Sequence, residues 1–142
     1  MNYQTHTLPN GLRIIYLPKK SEVTFCGITI NAGSRDENRD EEGCAHFAEH
    51  LLFKGTRKKN ARQIINRLED IGGELNAYTS KEETVVYAAA TKKYTRRMIE
   101  LIADMTLHSI FPQKELEKER EVILDEIASY HDNPSELIFD DF

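Results

Sequence analysis

The chain has 142 residues, 39% of them apolar and 30% charged, with a net charge of −5. That length fits one domain with a real core, the composition excludes a disordered chain, and the acidic balance argues against nucleic acid as a partner. No apolar run approaches the roughly 20 residues of a membrane span, Met1 to His6 lacks a leader pattern, and Cys26 and Cys44 are too few for a disulfide scaffold, so a cytoplasmic protein is expected.

Pro9-Asn10-Gly11 is a turn signal, so residues 3–8 and 12–17 read as a hairpin. Residues 23–32 are β-rich and end at Gly33. Cys26 alternates there with Ile28 and Ile30, as a core thiol would. The charged stretch 35–42 reads as a solvated loop. A helix is expected over 45–53, closed by Gly55. Asn60 can cap a second helix that runs to Ile71 and ends at Gly72-Gly73. Residues 74–80 and 84–91 read as strands joined by a polar turn. Residues 94–108 are helical, with Met98, Ile99, Leu101, Ile102 and Met105 on the apolar side. Pro112 opens a long helix to about Tyr130, and Asn133-Pro134 starts another that carries no stop signal. Strands grouped with helices, without strict βαβ alternation, predict an α+β fold: an antiparallel or mixed sheet with helices on one face.

The sharpest local signal is His46-Phe47-Ala48-Glu49-His50. At about 100° per residue, His46, Glu49 and His50 share one helix face. Two imidazoles four residues apart can grip one metal ion, and a carboxylate beside them can act as a general base, which is the inverted H-x-x-E-H order. The flanks Ala45, Phe47, Ala48, Leu51, Leu52 and Phe53 make this helix apolar nearly all round. Polar groups in such a setting are costly unless they share a partner. A catalytic zinc needs a third protein ligand. Cys26 and Cys44 are candidates, although Cys44 points to another side of the helix start. Glu119 and Glu126 are better placed, seven residues apart on one stripe beside Val122, Ile123 and Ile127. The competing reading makes them rim carboxylates, or ion-pair partners of Arg62 or Arg67. Helical spacing leaves the choice between the two glutamates open. His6, His108 and His131 read as isolated surface or helix-end residues, and Arg57-Lys58-Lys59 as a solvated basic cluster.

The segment from His46 to Thr56 resembles the zinc site of the pitrilysin (insulinase, mitochondrial processing peptidase) family. Leu8 to Leu12 resembles its opening hairpin, Ala32 to Glu37 its loop before the motif, Gly72 to Ser80 its substrate-side strand, and Glu119 to Glu126 its distal glutamate helix. The resemblance runs from about residue 4 to 142 in matching order. It implies that His46, His50 and Glu126 hold one zinc ion per chain. It also implies that Glu49 is the general base and that Glu119 supports His46 or His50. Asn76, Ala77 and Tyr78 would bind an extended peptide or unfolded polypeptide as an added strand, which suits an edge strand with free backbone groups. Family members are much longer, and close a chamber with a second half that supplies an Arg and a Tyr. Residues 1–142 are therefore expected to be the N-terminal zinc-binding portion of a zinc endopeptidase, incomplete at the C-terminus. The second half would come from the same longer chain or from another subunit. The rival reading is a catalytically inactive fragment or a peptide-binding scaffold subunit.

Overall fold

A computed structural model describes residues 2–131. The helix expected from Asn133 lies outside the described residues. Near the N-terminus, β1 (Gln4–Thr7) and β2 (Arg13–Tyr16) pair antiparallel, with Gln4 opposite Tyr16. Gly11 closes their turn at φ +89, a left-handed backbone that suits glycine, and the Leu12 amide donates to Asn10 Oδ1.

The main sheet has three strands in the order β3-β5-β4 and is wholly antiparallel. They are β3 (Val23–Ile30), β4 (Glu74–Thr79) and β5 (Thr84–Thr91). The central strand β5 buries Val86, Ala88 and Ala90 on one face, as the two-residue period of a strand requires. Four helices follow the same chain: α1 (Cys44–Leu52), α2 (Ala61–Glu69), α3 (Thr95–His108) and α4 (Gln113–His131). The buried face of the sheet meets Leu52 of α1, Ile64 and Leu68 of α2, and Met98, Leu101, Ile102 and Met105 of α3. Burying side chains of this size stabilises by about 1.5–3 kcal/mol each. The α+β fold with helices on one sheet face is the expected one, and the sheet is antiparallel rather than mixed. Cys26 packs against this core from a half-buried position, and burial pushes its thiol pKa up.

Three tethers carry the chain around the core. Asn60 caps α2 reciprocally with Gln63, at 3.0 Å each way. Buried Asp104 of α3 accepts from Thr56 Oγ1 at 2.9 Å and pairs with Lys59 Nζ at 2.7 Å, which fixes the segment between α1 and α2. Lys59 is thus bound rather than merely solvated. His108 ends α3 as expected, with its Nδ1 3.6 Å from Asp104 Oδ1 and without a hydrogen-bond partner among the described residues. Gly33 lies against the β4–β5 turn, where a Cβ would collide with the Ser80 carbonyl oxygen. The Ser34 and Arg35 amides donate to the Ser80 and Lys81 carbonyls there.

Candidate metal centre

Helix α1 begins immediately after Gly43, whose φ is +89. Glu37 reaches across from the charged loop, and its carboxylate accepts from the Gly43 amide at 2.8 Å and the Ala45 amide at 2.6 Å. An anion on the free amides of a helix start is favourable twice, through hydrogen bonds and through the helix dipole. The stretch 35–42 is therefore not simply solvated: it caps the helix that carries His46, Glu49 and His50.

The expectation that α1 is apolar all round needs correction. Leu51 and Leu52 are buried, while Cys44 and Ala48 are exposed. One side of α1 meets β4 and another meets α4, while Ala48 stays exposed. The apolar stripe of α4 is likewise open, with Val122 48% and Ile127 46% exposed. Among the described residues of that helix only Glu119 is deeply placed, with 8% of its side chain exposed.

The predicted ligand atoms converge. His46 Nε2 and His50 Nε2 lie 3.1 Å apart, with the rings edge to face at 85°. Glu126 Oε2 stands 3.8 Å from the first nitrogen and 3.6 Å from the second. Tetrahedral zinc with bonds of about 2.0–2.1 Å separates its donors by roughly 3.3–3.4 Å. The three observed separations bracket that span. Three electron-rich atoms pointing at one another are also repulsive unless a proton or a cation sits among them. The donor set therefore fits zinc.

The surrounding contacts hold this arrangement. Glu119 Oε2 lies 3.2 Å from His50 Nδ1, and Glu119 Oε1 lies 2.7 Å from Lys54 Nζ. An ionised carboxylate only accepts, so this contact suits the His50 tautomer that carries its proton on Nδ1 and leaves the Nε2 lone pair free. Glu119 contacts His50, and its cation is Lys54 rather than Arg62 or Arg67. The Thr79 hydroxyl donates to Glu49 Oε2 at 2.7 Å. Thr79 ends β4, where Leu75, Ala77 and Thr79 share the helix-facing parity and Glu74, Asn76 and Tyr78 the outer one.

Strand β4 pairs with β5 alone, so its other edge is unpaired among the described residues. Asn76, Ala77 and Tyr78 lie along that edge. Asn76 Oδ1 accepts from the Ala77 amide at 2.9 Å, and the Tyr78 hydroxyl donates to Glu83 at 3.1 Å, which raises the phenol pKa. Glu37, Lys54 and Thr79 were missed in the sequence. For Thr79 a signal existed, a polar residue at the inward parity of a strand. Lys54, four residues after His50, carried a weaker one.

Residues 13–142 match the family model described as insulinase, peptidase family M16. A protein named as a zinc protease in Rickettsia felis is 41% identical over 143 residues, covering 99% of this chain and 34% of the relative. Another in Bacillus subtilis is 40% identical over 137 residues, 95% of this chain and 33% of the relative. The mitochondrial-processing peptidase subunit beta of Rattus norvegicus is 42% identical over 139 residues, 96% of this chain and 28% of the relative. A solved protease from Helicobacter pylori superposes with a TM-score of 0.92 at 29% identity, over 97% of this chain and 34% of that one. The chain spans about a third of the length of these relatives.

Proposed function

The chain belongs to the insulinase family, peptidase family M16, and from that membership we propose that it is the N-terminal, zinc-carrying portion of an endopeptidase that hydrolyses peptide bonds. The observation that carries this reading is the convergence of His46 Nε2, His50 Nε2 and Glu126 Oε2, with Glu49 on the same helix face. These three side chains would hold one zinc ion. When bound, zinc supplies a Lewis acid and a water of lowered pKa.

Glu49 is the general base in this reading. Thr79 holds its Oε2, which leaves Oε1 to take the proton of the attacking water and pass it to the leaving amine. Glu119 orients His50 rather than joining the ligand set. The substrate lies extended along the free edge of β4 at Asn76, Ala77 and Tyr78, where main-chain bonding tolerates many sequences. That positions one bond of a peptide or unfolded chain beside Glu49. The Asn76 side chain must release the Ala77 amide before an added strand can use it. The second half of the peptidase, from the same longer chain or from a partner subunit, completes the chamber. No described helix is long and apolar enough to cross a membrane.

The test is Glu49→Gln in the intact protein. Zinc content should stay at one per chain while cleavage of an unstructured peptide falls by about 10²–10⁴. Persistent cleavage would remove Glu49 from its role. Zinc binding without cleavage in the unsubstituted protein would favour a peptide-binding scaffold subunit.

A further inference from the structure

The geometry points to Lys54 as a positioning residue of the metal centre, acting through Glu119. The inference rests on the zinc reading above. Lys54 follows α1 by two residues, and its amide donates to the Leu51 carbonyl at 3.0 Å, so its stem leaves the helix end in a fixed direction. Its ammonium sits 2.7 Å from Glu119 Oε1, with 27% of the Lys54 side chain exposed against 8% for Glu119.

Glu119 therefore divides its two oxygens between two cationic or N–H partners, one on α1 and one just past its end. Oε1 is held by Lys54 and Oε2 faces His50 Nδ1 at 3.2 Å. A carboxylate gripped at one oxygen cannot rotate freely about its last torsion. The other oxygen is thereby aimed at the imidazole and selects the ring tautomer that leaves Nε2 open. Without Lys54, Glu119 would be a nearly buried carboxylate with one oxygen unmatched. Turning that oxygen elsewhere would withdraw support from His50.

The sign of the effect separates positioning from plain charge. Removing a cation near a site for a dication tightens metal binding by Coulomb's law. Loss of positioning weakens it. Lys54→Met is expected to weaken zinc binding about tenfold, the lower end for a group acting behind a ligand, measured by chelator competition. Lys54→Arg should restore most of it, since a cation again meets Oε1. In a Glu119→Gln background, Lys54→Met should cost nothing further. Imidazole nitrogen shifts in the metal-free protein give a second readout. His50 should be protonated at Nδ1 in the parent and mixed between tautomers in Lys54→Met.

Tighter zinc binding in Lys54→Met, additive losses in the double variant, or an unchanged tautomer would each overturn the role given to Lys54. A parent protein that takes up no zinc would instead sink the zinc reading, and the tautomer comparison would still decide the Lys54–Glu119–His50 chain.

Discussion

Replacing Glu37 by Ala should loosen the start of α1 and, through it, the residues proposed to hold the metal. Glu37 accepts from the Gly43 and Ala45 amides at 2.8 and 2.6 Å, from a half-buried position. A hydrogen bond to a charged group contributes about 1.5–3 kcal/mol where it is shielded, and less at an exposed rim. The Gly43 amide can return to water, whereas the Ala45 amide is partly buried, so about 1.5 kcal/mol for the pair is a fair sum. The helix dipole adds roughly 0.5 kcal/mol. The total of about 2 kcal/mol corresponds to roughly 30-fold faster opening of the first turn. Amide hydrogen exchange at Ala45 and His46 reads this directly. Glu37→Gln should fall between, because it keeps one acceptor and loses the charge. His46 is only one residue past Ala45, so zinc affinity should fall in the same order. Exchange at Ala45 that changes less than about twofold in Glu37→Ala would refute the cap.

Thr79→Val should lower kcat about tenfold with KM nearly unchanged, because it removes one hydrogen bond of about 1–1.5 kcal/mol to Glu49. Thr79→Ser should retain activity in the same assay. Gly33→Ala should cost about 1–3 kcal/mol in urea unfolding, since the new Cβ meets backbone atoms of Ser80, Lys81 and Glu82 that cannot step aside alone. Asp104→Asn should cost about 1–2 kcal/mol at neutral pH, discounted because Lys59 keeps partial access to water. Burial raises the Asp104 pKa, but Lys59, Thr56 and Lys58 together outweigh it and hold the carboxyl below its ordinary 3.8. The unfolded chain then binds the proton first. The contribution of Asp104 is complete above 3.8 and is lost as pH falls through the lower folded value, so the gap between parent and variant should close in that acid range.

What was legible in the sequence had a local physical cause. β5 spans residues 84–91 as read, because its inward alternation of Val86, Ala88 and Ala90 belongs to a strand alone. Asn60 announced α2, although the helix ends at Glu69 rather than Ile71, with the last residues wound into the Gly72 turn. The i and i+4 spacing of His46 and His50 brought the two Nε2 atoms together on one helix face. Contacts across elements were not legible. Glu37 looked like one more charge in a charged loop, and nothing local says that it reaches the helix eight residues on. Lys59 looked solvated, and its partner Asp104 is 45 residues away. The wheel placed Glu119 and Glu126 on one stripe of α4, but only the crossing of α4 over α1 turns the first toward His50 and Lys54. Periodicity also overstated burial on α1 and α4. A helix pattern marks which face is apolar, not whether anything covers it.

The most direct test of the account is elemental analysis of the purified protein, alongside His46→Ala and Glu126→Ala, each checked for folding by circular dichroism. The account predicts close to one zinc per chain in the parent, and loss of zinc in both variants with the fold intact. A folded parent that takes up no zinc when the metal is supplied, or variants that keep it, would contradict the assignment of His46, His50 and Glu126 as the metal centre.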